Sequence, residues 1–318
     1  MRAVKPGYTI LLIILLAGVV AVSWFMLLRP PLPAASVSPA PVADAGDRPA
    51  PRPSVTQMVG LLDVARMQGH VEKLTGEIGA RQAGTASEQA AAEYVRQQLE
   101  ESGYQVTLTP VPLPNGKQSV NVSAELPGEV EQAILIGAHI DSFAPSPGAN
   151  DNASGVAVML ELARVLRASP PHYSIIFAGF GAEERQGRNR DHHHFGSRLM
   201  AADDTLRRRL AGMASLDMVG YGTQLHITNQ GWAADHWRDR IGAVARDMGL
   251  PARAQRGRPW SDHEAFEKRG IPAAYLHWER DPHYHRRTDT PAHIQPERLR
   301  QTAELMLRVL LNSKGVGE

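Results

Sequence analysis

Apolar, strand-like segments alternating with helical patterns constrain this chain more than any other feature. From Tyr104 onward, "YQVTLTPVPL", "SVNVSAEL", "QAILIGAHI", "YSIIFAGF", "GMASLDMVGY", "QLHITN" and "IPAAYLHW" follow one another. Apolar spacing predicts helices near 57–76, 86–102, 153–168, 233–249, 262–269 and 296–312. Apolar strands joined through helices build a mostly parallel sheet with helices on both faces. The expected fold is α/β, a single globular domain, and no internal repeat interrupts it.

In such a sheet, ligands gather where the carboxyl ends of the strands release their loops. Those ends carry the polar residues here. "AILIGAHIDS" ends on His139 and Asp141, "SIIFAGFGAEE" on Glu183 and Glu184, and "MASLDMVG" on Asp217. "AAYLHWERDPHYHRRTDT" leads to His277, His283, His285 and Asp289. Asp151, in "GANDNASGVAVMLELARVL", opens the helix after the first of these strands, where Asn, Asp and Ser are ordinary N-caps.

Several carboxylates meeting in one crevice repel, and each wants a proton or a cation. The chain has no cysteine, so a metal would sit on His, Asp and Glu. Two-metal hydrolases need a carboxylate bridging ions about 3.5–4 Å apart. Asp151 suits that role because the small residues around it let the backbone approach. His139 and Asp217 would then complete one ion, and Glu184 and His285 the other. Neighbours on an extended strand point to opposite sides, so Glu183 would face away from Glu184 and serve as general base.

The N-terminus carries a separate signal. Arg2 and Lys5 precede a stretch without charge from Pro6 to Leu28, and about 30 Å of helix suffices to cross a bilayer. With positive charge ahead of the span, the N-terminus is expected inside and the remainder outside the cytoplasm. The expected division is a basic start at 1–7, a transmembrane signal anchor at 8–28, a Pro/Ala-rich tether at 29–55 and a catalytic domain at 56–318. The Ala-rich tether leaves cleaved secretion open. A net charge of +1 argues against a nucleic-acid partner.

The segments "AHIDS", "GANDNASGVA", "FGAEE", "GSRLM", "SLDMVGY", "SDHEAFEKRGIPA" and "YHRRTDTP" occur in an order that resembles the zinc exopeptidases of clan MH. That group includes secreted bacterial aminopeptidases, glutamate carboxypeptidase and glutaminyl cyclases, and the resemblance spans about residues 57–313. It implies two Zn2+ ions, with His139, Asp151 and Asp217 on one and Asp151, Glu184 and His285 on the other. It further implies Glu183 as the base, Asp141 as the carboxylate orienting His139, and a cis peptide after Asp151. Capping of the following helix then falls to Asn152 or Ser154.

The remaining polar residues have plainer expectations. His277 and His283 flank the ligand segment at the surface or behind it. Tyr284 either donates to a developing oxyanion or packs, Asp262 and His263 shape the pocket floor, and Asp289 is a structural hydrogen-bond partner. Arg185 to Phe195, with "RDHHHF", is an insertion expected as an exposed loop at the cleft rim. The leading function is an aminopeptidase acting on peptides. A one-zinc glutaminyl cyclase, whose long gap between Glu184 and Gly196 this chain resembles, and a carboxypeptidase are the alternatives. A non-catalytic ectodomain would be expected to lack ligands or base, and here all are present.

Overall fold

Short polar side chains decide where the first helices begin in the computed structural model, which describes residues 52–312 apart from 170, 190 and 259. Ser54 caps α1 (Val55–Val59) by accepting the Gln57 N–H, and the Gln57 side chain bonds back to Ser54. Asp63 caps α2 (Val64–Glu72) by accepting the Arg66 N–H, and a wide turn follows at Lys73–Ile78. The helix expected over 57–76 is therefore two, because each cap starts its own. Thr85 caps α3 (Ala86–Glu101), the helix expected over 86–102, by accepting the Glu88 N–H.

The strands are β1 (Val106–Pro112), β2 (Gln118–Leu126), β3 (Val130–His139), β4 (Tyr173–Phe180), β5 (Leu210–Leu216), β6 (Leu225–Asn229), β7 (Ala252–Arg256) and β8 (Ala273–Trp278). They form one sheet in the order β1-β2-β4-β3-β5-β8-β6-β7. The central run β4-β3-β5-β8 is parallel. Antiparallel pairings join β1 to β2, β2 to β4 and β6 to β8, while β7 runs parallel to β6. The sheet is thus mixed, and the expected parallel character holds for its centre. β7, read from "ARAQR", is an edge strand with Arg253, Gln255 and Arg256 exposed. Its two half-buried alanines leave too weak an apolar alternation to announce it.

Alternation along the central strands fills both faces. Ile134, Ile136 and Ala138 of β3 join Phe177 of β4 and Leu276 of β8 in the larger core, with α2, α3, α4 (Ser154–Leu166), α7 (His236–Asp247) and α9 (Pro296–Leu311). Ala133 and Leu135 join Ala178 and Phe180 on the other face, against α5 (Phe195–Ala201), α6 (Asp204–Arg209) and α8 (His263–Glu267). Each buried isoleucine, leucine or phenylalanine among them contributes about 1.5–3 kcal/mol, and the alanines less. Apart from Arg164, every residue of α4 is buried, which places the start of that helix deep in the molecule beneath the strand ends.

Among the described residues, no helix is long and apolar enough to cross a membrane. The span expected at 8–28 and most of the tether lie outside the described residues.

Candidate metal centre

The parallel strands β3, β4, β5 and β8 all release their loops at the same edge, and the loops carry the polar residues there. His139 is the last residue of β3 and Asp217 directly follows β5. Asp151 comes from the loop between β3 and α4, Glu183 and Glu184 from just beyond β4, and His285 from the loop after β8. Asp151 sits between the two histidines: its Oδ1 lies 3.1 Å from His139 Nε2 and its Oδ2 lies 3.2 Å from His285 Nε2. Asp217 Oδ1 lies 3.5 Å from His139 Nε2, and Glu184 Oε1 lies 3.1 Å from His285 Nε2.

Donors about 2.0–2.1 Å from a tetrahedral ion stand about 3.3 Å from one another, so these separations suit zinc. Apart from the 3.5 Å approach of His139, the buried oxygen Asp217 Oδ1 has no hydrogen-bond partner among the described residues, a condition that a cation would relieve. The carboxylates also draw positive charge onto the imidazoles. Burial opposes protonation of His139, but Glu183 and Asp217 raise its pKa well above the ordinary value. Burial likewise opposes His285, yet Asp151 and Glu184 push it up to about 10. Burial, reinforced by Asp151, pushes Glu184 up to about 8. With nitrogen and oxygen donors and no thiolate, the set fits zinc. Its ligand-compatible groups are Asp151, Glu184 and His285 on one side and His139, Asp217 and Glu183 on the other.

Supporting residues hold these groups from behind. The Asp141 carboxylate accepts the N–H of Glu183 at 3.0 Å and of Glu184 at 3.1 Å. His139 Nδ1 faces Asp141 twice, its backbone carbonyl at 3.1 Å and its carboxylate at 3.4 Å. Asp141 therefore ties the histidine to the glutamate pair. Asp289 accepts the N–H of Asn150 and of Asp151. Arg81, which sequence reasoning did not single out, is fully buried and donates to the carbonyls of Ile140, Pro147 and Gly148. It shapes the loop between His139 and Asp151, and nothing in its local sequence separates it from a surface arginine.

The Asp151–Asn152 peptide is cis. Asn152 Oδ1 accepts the Gly155 N–H at the start of α4 and its amide donates to Leu216 O, so Asn152 is the capping side chain. Ser154 instead donates to Asn150 O and accepts from Val219.

Two expectations need correction. Glu183 and Glu184 do not diverge by strand alternation, because β4 stops at Phe180. A left-handed residue, Ala182 (φ 54°), turns the chain, and the two carboxylates part into different ligand groups. Nor is the Arg185–Phe195 segment wholly an exposed loop. Arg185, Gly187 to Asn189 and Asp191 are exposed, but His194 is 2% exposed. Its Nε2 lies 2.9 Å from Glu183 Oε1 and its Nδ1 lies 2.9 Å from Glu264 Oε2. Burial opposes charge on His194, yet Glu183 and then Glu264 push its pKa up to about 10. The triple-histidine run was the visible signal, but which histidine turns inward is decided by the fold.

A cleft of about 550 Å³ opens over the centre, lined by Met218, Trp260, Tyr275, Trp278 and Tyr284 together with the carboxylates. The His285 ring stacks on Phe143 at 4.2 Å and on Tyr284 at 3.8 Å. Tyr284 is half exposed; partial burial of its hydroxyl, then Asp151 and Glu184, raise its pKa further above neutral pH, where a tyrosine already carries its proton. His283 stacks on His293 and faces Thr288, and His277 stacks on Tyr275. Asp262 is fully buried, and burial, then Glu183, pushes it up to about 7.

A mixed α/β sheet whose parallel strand ends bring two histidines and several carboxylates around one shared aspartate defines the frame of a metal-dependent peptidase. Residues 121–310 match Peptidase family M28, and the chain belongs to that family. Aminopeptidase YwaD of Bacillus subtilis (strain 168) is 32% identical over 185 residues, which cover 54% of this chain and 39% of that protein. The chain thus spans about two fifths of that relative's length. BSAP, a zinc aminopeptidase from Bacillus subtilis, superposes with a TM-score of 0.69 at 19% identity, covering 78% of this chain and 94% of its own. A glutaminyl cyclase from Tannerella forsythia reaches 0.72 at 24% identity, covering 80% and 99%. At these identities the two structures show the shared fold.

Proposed function

We propose that this protein is a membrane-anchored metallo-exopeptidase, an aminopeptidase that removes N-terminal residues from peptides at a two-zinc centre. The observation that carries the reading is the placement of Asp151, with one carboxylate oxygen toward His139 and the other toward His285. His139, Asp151 and Asp217 would hold one ion, and Asp151, Glu184 and His285 the other. Bound zinc supplies Lewis-acid polarisation of the scissile carbonyl and acidifies the attacking water.

The chain's own groups do the rest. Glu183 accepts the proton of the attacking water at Oε2, the oxygen not engaged by His194, and delivers it to the leaving amine. Asp141 holds the Glu183 and Glu184 backbone so that base and ligand keep their separate directions. Tyr284, protonated and lining the cleft, is placed to donate to the developing oxyanion. Tyr275 and Trp278 line the cleft beside the solvent-exposed Trp260 and offer apolar surface to a substrate side chain.

The uncharged run ahead of a Pro/Ala-rich tether supports an anchor at 8–28, with the catalytic domain outside the cytoplasm. Membrane fractionation with and without residues 1–28 tests that part.

The activity is tested by product masses. Zinc-loaded protein is given peptides with free, acetylated and glutamine N-termini, beside Glu183→Gln. Loss of single residues from free N-termini, abolished in Glu183→Gln, is the expected result. Loss of ammonia from the glutamine peptide without cleavage would make the chain a cyclase, and shortening from the C-terminus a carboxypeptidase.

A further inference from the structure

Glu183 has three rotatable side-chain bonds and lies within ligand distance of His139 and Asp217. A carboxylate so placed has two destinations. It can swing onto an ion and be spent as a ligand, or it can stay off the ion and keep an oxygen for proton transfer. Something must decide between them, and the side chain in contact with it is His194.

That histidine is unusual in its setting. It precedes α5 with a left-handed backbone (φ 55°), and its N–H donates to the Glu183 carbonyl at 2.9 Å. Backbone and ring therefore both engage the same glutamate. The far side of the ring meets Glu264 Oε2 at 2.9 Å, off the line of a good hydrogen bond. Glu264 is in turn paired with Lys268 one helical turn later. A chain of contacts thus runs from the base, through a buried imidazole, to a lysine at the surface.

His193, His194 and Glu264 could on distance alone hold an ion. Two cations stand against that: Arg198 lies 3.1 Å from His193 Nε2, and Lys268 occupies the other oxygen of Glu264. The cluster is already charge-compensated.

We propose that His194 is a positioning residue for Glu183: its imidazole, backed by Glu264, occupies Oε1 of the glutamate, keeps that carboxylate off the metal and leaves Oε2 for the proton. This rests on the reading of Glu183 as general base. The segment Arg185–Phe195 then has a role beyond the cleft rim, since its last turn delivers the pin. Displacing a reacting group by about 1 Å can cost about 100-fold in rate, which sets the scale of the effect.

The test compares His194→Leu, His194→Gln and His194→Asn with wild type and Glu183→Gln, each loaded with zinc and, separately, with cobalt. Glutamine carries its amide nitrogen about as far out as Nε2 and can still donate to Glu183; asparagine is too short. The expected result is a fall in kcat of about 10–100-fold in the leucine and asparagine variants at unchanged KM, with most of kcat kept in His194→Gln. The visible cobalt spectrum should change in the same two variants, as Glu183 joins the coordination sphere, and stay as wild type in His194→Gln. If His194→Leu does not fold, the glutamine–asparagine pair carries the comparison. Wild-type kcat and cobalt spectra in all folded His194 variants, with Glu183→Gln inactive, would overturn the inference and leave the base in place. Full activity in Glu183→Gln would remove the base and the inference together. A third equivalent of metal that disappears in His193→Ala would make the cluster a metal site and also overturn the pin.

Discussion

Asp289 accepts the backbone N–H of Asp151 at 3.1 Å, across 138 residues of sequence. Its other oxygen takes the N–H of Asn150 at 2.7 Å. The same short segment supplies His285, so one loop delivers a candidate ligand to one side of Asp151 and an anchor to its backbone. Asp289→Asn leaves one good acceptor for two donors. Zinc affinity, measured by competition with a chelator, is expected to fall about 10–100-fold while the fold persists. Unchanged affinity would show that the anchor does not set the ligand's position.

Metal stoichiometry tests the shared aspartate. Wild-type protein is expected to hold two zinc ions, Asp151→Asn to lose both and His285→Ala to lose one, by elemental analysis after dialysis. A single ion in the wild type would break the two-ion reading.

Gly155 sits where α4 meets the end of β5. A Cβ there would lie 2.1 Å from Leu216 O and 2.4 Å from Asn152 Oδ1, the atom that caps the helix. Gly155→Ala is therefore expected to destabilise by about 1–3 kcal/mol in denaturant unfolding and to disturb the neighbouring Asp151. Gly69, exposed in α2 with nothing near its Cβ position, is the contrast: Gly69→Ala should stabilise by about 0.5–1 kcal/mol.

His70 offers a pH dependence away from the metal centre. It is 4% exposed, and burial, with Arg66 and Arg164 adding, lowers its pKa to about 4. Its folded value lies below its unfolded one, so the unfolded chain binds a proton more readily. The contribution is complete above pH 6.5 and is lost as pH falls from there toward 4, up to about 3 kcal/mol. His70 Nδ1 lies 2.6 Å from the Tyr94 hydroxyl, and an asparagine oxygen can take that bond without titrating. His70→Asn should flatten the slope of stability against pH between 4 and 6.5, read from unfolding midpoints. A slope unchanged from wild type would assign the acid sensitivity to other groups.

Much of this protein is local information, and the sequence by itself determined that part. Apolar runs, helix spacing and turn residues set the α/β order, and the strand-end positions of His139, Glu184 and Asp217 placed them at one sheet edge. Donor chemistry without cysteine confined a metal to imidazole and carboxylate. Tertiary structure decided what depends on contacts between distant segments. It turned β2 and β6 antiparallel to the central run and added the edge strand β7 from a weak alanine pattern. It gave the cap of α4 to Asn152, buried Arg81 beneath the loop before Asp151, and turned His194 inward while its neighbours stayed partly exposed. Those outcomes follow from burial and pairing energies between residues tens of positions apart, which no local pattern of side chains encodes.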